Sequence, residues 1–246
     1  MKHHNNEILR KLYKKNDGFG YQGADPATAP FIFIGEDANF SEDIEQTNIW
    51  NELKIYLTDA RQFWETANKQ TSSVQVPVHH PFVLGKYSGA GKSYHENFRK
   101  IGLLPNQFPL CSFVELYYHP TIGKNTLRGK DFKDTSRPDH QERINHLRRI
   151  NDLINTDDEK ERTFLVSSGV IDIMWTTRNI FDWIQQYQTR EKYKSNCSCR
   201  DGKIHIIYEY QKTKIYIYYH LSRQNDGKRG TQLKQIHDLI QAYRHE

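Results

Sequence analysis

The chain has little that would tie it to a membrane, an oxidising compartment or a repeat architecture. No apolar run in its 246 residues approaches the roughly 20 that a membrane-spanning helix requires. The opening Met1-Lys2-His3-His4-Asn5-Asn6 carries none of the apolar core of a secretion signal. Cysteine is scarce: Cys111, Cys197 and Cys199 are an odd number, suited to a reducing cytosol rather than a disulfide framework. A cytoplasmic protein is the expectation. No internal repeat, low-complexity tract or linker interrupts the chain, so one domain over residues 1–246 is expected. Aliphatic residues are also sparse. With hydrophobic residues at 36% but aromatics at 13%, the 15 Tyr, 12 Phe and 4 Trp must carry much of the core.

What is present begins with charge. The net charge is +5 at pH 7, a basic excess compatible with a polyanionic partner but shared by many soluble proteins. Its distribution says more: Lys124, Arg128, Lys130, Lys133 and Arg137 crowd one segment, and Arg223, Lys228 and Arg229 another. Either cluster alone would be read as a solvated loop.

Periodicity predicts alternating strands and helices. Helices are expected over 7–15, over 47–67 with one break, over 93–101, over 139–154, from 170 to 175, and over 231–243. Strands are expected at 30–34, 110–116 and 163–167, followed by a hairpin of 203–210 and 214–219. The stretch 18–29 is expected to be a loop. This order argues for a parallel sheet flanked by helices, with the first hairpin strand added antiparallel. In such a sheet the loops after the strands converge on one crevice. Those ends are Gly35 to Asn39, Ser112 to Asn125, Ser167 to Gly169, and His220 to Gln224. Carboxylates, hydroxyls, a histidine and an arginine would then face one space.

Taken singly, each residue has a plain structural role. Asp37 after a strand would cap a turn, Glu36 would hold backbone or water, His220 would be a hydrogen-bonded structural histidine, and Phe82 would be core. Taken together they resemble a known pattern. Gly35-Glu36-Asp37-Ala38-Asn39-Phe40-Ser41-Glu42-Asp43 resembles the first motif of the uracil-DNA glycosylase superfamily. Pro81-Phe82-Val83, Gly89-Ala90-Gly91-Lys92 and Ile101-Gly102-Leu103 are similar to a run in its bacterial iron–sulfur branch, and His220-Leu221-Ser222 is similar to its closing His-Pro-Ser motif. The segments occur in the family's order and span residues 30–243.

The resemblance implies a three-layer α/β/α sandwich with a central, mainly parallel four-stranded sheet, here with the late hairpin added. It implies an enzyme that flips a base out of DNA and hydrolyses its bond to the sugar. Asp37 would orient water and stabilise the sugar cation, with Asn39 beside it, and His220 would hydrogen-bond the departing base. Gly35, Glu36, Phe82, Ser112 and Glu115 would bind the base, Phe82 by stacking. Ser167, Ser222, Lys124 and Arg128 would hold DNA, while Arg223 and Gln224 would fill the vacated stack.

The departures carry information of their own. Ala38 and Leu221 replace prolines of the pattern, and three cysteines do not supply the four ligands of an iron–sulfur cluster. Asn39 stands where the uracil-specific form has a tyrosine that blocks carbon 5 of the pyrimidine. None of Ser112, Phe113, Val114 and Glu115 is the asparagine that reads uracil. Glu115 could accept a hydrogen bond from the exocyclic amine of cytosine. The chain therefore looks like an anti-phage relative that excises glucosylated 5-hydroxymethylcytosine from phage DNA, with uracil repair as the alternative. No cofactor, metal or cluster is expected, and DNA is the expected partner.

Two other classes stand beside it. Gly89-Ala90-Gly91-Lys92-Ser93 suggests a phosphate-binding loop, but the required glycine would fall at Lys86 and stands at Gly85. Cys197-Ser198-Cys199 with His205 lacks a fourth zinc ligand of the usual spacing. A module that grips DNA without cutting it would use the same fold.

Overall fold

The computed structural model describes residues 3–13, 19–70, 79–123, 129–156, 160–196, 201–221 and 229–243. The elements follow in chain order: α1 (Glu7–Tyr13), β1 (Tyr21–Gly23), β2 (Phe31–Phe40), α2 (Trp50–Thr58), α3 (Ala60–Gln70) and α4 (Lys92–Arg99). Next come β3 (Cys111–Ile122), α5 (Gly129–Lys133), α6 (His140–Asn155), β4 (Arg162–Ser167) and α7 (Ser168–Thr176). The chain closes with α8 (Arg190–Asn196), β5 (His205–Tyr210), β6 (Thr213–Tyr218) and α9 (Arg229–Ala242). Among the described residues no helix is long and apolar enough to cross a membrane.

Among the described residues six strands form one mixed sheet in the order β1-β3-β2-β4-β6-β5. β2 lies parallel to both β3 and β4, and β4 parallel to β6. The α/β class read from the sequence holds; the sheet has six strands where four with a late hairpin addition were expected, and the strand that was not foreseen is β1. Tyr21–Gly23, expected as loop, pairs antiparallel with Ser112–Val114 and forms one edge. At the other edge β5 runs antiparallel to β6.

Alternation along β2 builds the two faces. Phe31 and Phe33 pack into an aromatic-rich cluster with Tyr13 of α1, Leu53 and Tyr56 of α2, Trp64 of α3, Phe98 of α4 and Ile236 of α9. Ile32 and Ile34 point the other way, into an aliphatic cluster with Leu147 and Ile150 of α6 and Ile171 and Met174 of α7. Helices therefore cover both faces, as parallel strands with continuous apolar runs require. The break expected in the second helix is at Asp59. Its backbone is extended, ending α2, and its Oδ1 accepts the Gln62 N–H at 3.0 Å to start α3.

Two strand ends differ from the sequence reading in a way that matters. β2 does not stop at Gly35 but continues to Phe40, and β3 runs past Leu116 to Ile122. The two polar extensions are strands because they pair with each other, Gly35 with Glu115, Asp37 with Tyr117 and Asn39 with Thr121. Local composition reads as loop; the ladder supplies the backbone partners that a loop would take from water.

Phe33 sits at the centre of the aromatic face, its ring centroid 5.3 Å from Phe113 in a stacked arrangement and 5.0 Å from Phe98 edge-on. Phe33→Ala is expected to cost about 3–5 kcal/mol of stability, read from urea denaturation. A loss below about 1 kcal/mol would contradict this account of the core.

Candidate functional site: a carboxylate–histidine cavity at the strand ends

A cavity of about 440 Å³ opens beyond the carboxyl ends of the parallel strands. Gly35, Glu36, Asp37, Asn39, Phe82, Glu115 and His220 all line it. Seven positions scattered over nearly two hundred residues of sequence thus meet in one space. A larger cleft, about 850 Å³, lies between α6 and the end of α7, with Lys133, His140, Arg148 and Arg178 in its walls. It has none of the paired acid and base groups of the strand-end cavity.

The carboxylates come from the extended ladder. Glu115 lies directly beside Gly35, and a Cβ at residue 35 would overlap its carboxylate. Glycine there is what lets the acid lie flat against the neighbouring strand. Burial pushes the Glu115 pKa well above the glutamate range, and the nearby Asp37 and Glu36 charges add to the rise. Asp37 is raised as well, chiefly by burial, with hydrogen bonds from Thr121 and Asn39 offsetting part of the effect. The Glu36 carboxylate lies against Gly169, which also lines the cavity, in the first turn of α7, where a helix N-terminus favours negative charge.

Between Asp37 and Asn39 the ladder shifts register, because β3 spends Tyr118, His119 and Pro120 against the single Ala38 of β2. This bulge brings Thr121 opposite Asn39. The Thr121 hydroxyl donates to Asp37 Oδ2, and Asn39 Nδ2 donates to Thr121 Oγ1 at 3.1 Å and to the Gly123 carbonyl at 2.5 Å. The N-terminal segment braces the bulge: the His4 N–H donates to the Pro120 carbonyl at 2.8 Å, and the His4 ring bonds the Ser41 carbonyl at 2.8 Å.

The opposite wall is aromatic. Phe82 stacks on Tyr87, with ring centroids 4.6 Å apart, and meets His80 edge-on at 4.4 Å. Tyr87 is fixed by a closed ring of hydrogen bonds: its hydroxyl donates to the Ala90 carbonyl at 2.8 Å, the Ala90 N–H donates to Ser41 Oγ at 3.3 Å, and Ser41 and Tyr87 hydroxyls lie 3.0 Å apart. Gly91, at φ +82°, starts α4 over the Phe82 ring, where a Cβ would clash with it. Behind Phe82, His80 stacks on His95 with centroids 3.8 Å apart, and His95 Nδ1 lies 3.1 Å from His79 Nε2. The Phe82 N–H donates to His80 Nδ1, so Nε2 carries the proton and donates to Gln22 Oε1 at 3.1 Å. Burial lowers His79 and His80 well below the usual histidine range and His95 to about 3, so this wall is neutral at physiological pH. His220 follows β6, its ring 5.6 Å from Tyr94.

Two expected contacts fall elsewhere. Ser112 is fully buried near the start of β3, beside Gly23 of β1, and does not line the cavity. Ser167 is fully buried too, because its hydroxyl caps α7 by accepting the Val170 N–H at 3.5 Å. Neither hydroxyl is open to a base or a phosphate. Ser222, Arg223, Gln224, Lys124, Arg128, Lys228, Cys197 and Cys199 lie outside the described residues. Among the described residues no group of three or more His, Cys, Asp or Glu side chains is arranged to hold a metal ion. Gln22, Tyr94, His95 and Thr121 were not singled out by the sequence reading. Tyr94 and His95 sit beside the Gly89-Ala90-Gly91 turn, which was; Gln22 and Thr121 lie in stretches that read as loops. No protein-family model, curated protein or solved structure matches this chain.

The Glu115 environment has a measurable consequence. A carboxyl whose pKa is raised by folding stabilises the protein below its unfolded pKa, about 4.3, and that stability is lost as pH rises through the folded value. Glu115→Gln escapes this loss. Urea denaturation should show the variant gaining on wild type between about pH 4 and pH 8, by about 1.4 kcal/mol for each unit the folded pKa has moved. An equal difference at both pH values would mean that Glu115 is not displaced.

Proposed function

We propose that this protein is a monofunctional DNA glycosylase acting on a 5-substituted pyrimidine, such as α-glucosyl-5-hydroxymethylcytosine in phage DNA, in the cytoplasm of a bacterial cell defending itself. The observation that carries the reading is the meeting of Asp37, Phe82 and His220 around one cavity, three residues brought to notice by separate motifs. The sheet is compatible with it. Its β3-β2-β4-β6 strands are parallel neighbours with helices on both faces, and we read them as the four-stranded centre of a uracil-DNA glycosylase-like α/β/α sandwich.

The chemistry follows from the charge that must form. Breaking the base–sugar bond leaves positive charge on the sugar and negative charge on the departing nitrogen. A water attacks the anomeric carbon, and its oxygen forms the new bond as the carbon–nitrogen bond breaks. Asp37, as the carboxylate, stabilises the sugar cation and takes the proton the water gives up. The bonding pair leaves with the base, whose anionic carbonyl accepts a hydrogen bond from His220, and the base gains a proton from solvent. Phe82 walls the space for the flipped base rather than stacking on it, since its ring is 2% exposed, packed on Tyr87 and under Gly91. The low-polarity histidine wall strengthens each of these interactions by excluding water.

Size and polarity bear on which base is taken. Asn39, drawn back against Thr121 and Gly123, leaves room at carbon 5 that a tyrosine would fill. Glu115, favoured in its neutral form by burial, offers both a donor and an acceptor to a pyrimidine edge. The cavity lies within the roughly 300–1,000 Å³ range of small-molecule sites, and a base carrying a hydroxymethyl or sugar substituent uses that space better than bare uracil.

The test is a panel of single- and double-stranded oligonucleotides carrying uracil, 5-hydroxymethyluracil, 5-hydroxymethylcytosine or its glucosylated form, scored for alkali-labile breaks. Release of the glucosylated base with little uracil release is expected. Asp37→Asn should lower single-turnover base release by on the order of 10²–10⁴-fold, and His220→Ala by on the order of 10²–10³-fold, with DNA affinity largely kept. For wild type, release should fall as pH drops through a midpoint above the ordinary aspartate range, because the raised Asp37 must be ionised to act. Salt-sensitive DNA binding with no base released from any substrate would make the protein a reader, and ATP hydrolysis without action on DNA would place it in a different class.

A further inference from the structure

Asn39 lines the cavity, and its Oδ1 is buried with no hydrogen-bond partner, although its nitrogen donates to Thr121 and Gly123 and also helps hold Asp37 ionised. An orphaned acceptor of this kind costs free energy unless something donates to it. The hydrogen-bond pattern explains why the acceptor, and not the donor, is left without a partner. Gly123 offers a carbonyl, which can only accept, so the Asn39 nitrogen must be on that side. Thr121 has one proton, which goes to Asp37 Oδ2, so its oxygen is left to accept from Asn39 Nδ2. Turning the amide over would set oxygen against oxygen at Gly123 and leave the Thr121 lone pairs unmet. The chain of donors from Asn39 through Thr121 to Asp37 therefore has one direction.

We propose that Thr121 is a positioning residue, which fixes the Asn39 amide and one oxygen of Asp37 so that Asn39 Oδ1 and Asp37 Oδ1 together accept both protons of a single water. The inference rests on the hydrolytic reading above and names the residue that orders its nucleophile. A water that gives both protons to acceptors keeps a lone pair for the electrophile. A donor in place of Asn39 Oδ1 would occupy that lone pair and hold the water in an unreactive orientation. Thr121 is fully buried and reaches this position through the β3 bulge, so it acts through its two neighbours.

The other titratable groups facing the same space are Glu36 of β2, Glu115 of β3, His80 ahead of Phe82, Tyr94 and His95 of α4, and His220 after β6. The side-chain hydrogen bonds of Thr121 run to Asp37 and Asn39 and to none of these groups, so its effect is read at Asp37. The experiment compares wild type, Thr121→Val and Thr121→Ser, with Asp37 titrated by carboxyl carbon NMR, assigned through Asp37→Asn, and single-turnover base release followed against pH.

Thr121→Val should raise the Asp37 midpoint, shift the acidic limb of the rate profile to higher pH in step, and slow release on its plateau by about 10–100-fold without a matching loss of DNA affinity. Thr121→Ser should restore midpoint, limb and plateau to within about threefold of wild type. A valine variant that folds and leaves both midpoint and limb unmoved overturns the proposal, as does a serine variant no better than valine. If wild type releases no base, the hydrolytic reading and the water-holding role fall together. The NMR titration alone still shows whether Thr121 tunes Asp37.

Discussion

The site depends on one structural constraint: β2 and β3 continue to pair after their apolar cores have ended. Beyond Ile34 and Val114 the two strands carry acids, amides and hydroxyls, and residues of this type ordinarily leave a sheet for solvent. Here each strand provides the other's backbone partners through Gly35–Glu115, Asp37–Tyr117 and Asn39–Thr121. Polar side chains are thereby held on a rigid ladder in a partly dry space. A strand end is a better platform for chemistry than a loop, because its side chains keep fixed directions. The bulge at Tyr118–Pro120 refines that platform by bringing Thr121 between Asp37 and Asn39.

Burial then sorts the charges. Asp37 and Glu115 are both pushed toward their neutral forms, while His79, His80 and His95 are held neutral from the other direction. One cause, the removal of water, moves acids up and bases down. Such a cavity tolerates little resting charge and responds strongly to any that appears. A bond cleavage that creates a cation and an anion a few ångströms apart would find the donors and acceptors already in place. The stacked histidines contribute as packed aromatic rings, and the hydrogen bond from the Phe82 N–H to His80 ties them to the Phe82 ring in the same wall.

The motif glycines and serines divide according to packing. Gly35 and Gly91 are where close approach matters, one under a carboxylate and one over an aromatic ring. Ser112 and Ser167 stand near the start and at the end of strands, and both are buried within the protein. A serine at a strand end can hold a phosphate or cap the next helix, and the chain alone does not distinguish these. Ser167 does the second, because its hydroxyl faces the free N–H groups of α7.

The sequence by itself determined the alternation of strands and helices, since runs such as Phe31–Ile34 and Phe164–Val166 and the helical spacing of apolar residues report burial locally. It also marked Asp37 and His220 as residues standing where strands end, and Phe82 through the resemblance of the irregular stretch that holds it. Their convergence on one cavity required the parallel order of β3, β2, β4 and β6, a long-range property that periodicity does not encode. The conversion of 35–40 and 117–122 from apparent loop to paired strand was likewise tertiary, because each segment is stable as a strand only against the other. Thr121 shows this most directly. Nothing in Tyr117-Tyr118-His119-Pro120-Thr121 marks the threonine, and only the bulge, which counts three residues of one strand against one of its neighbour, places its hydroxyl between the aspartate and the asparagine.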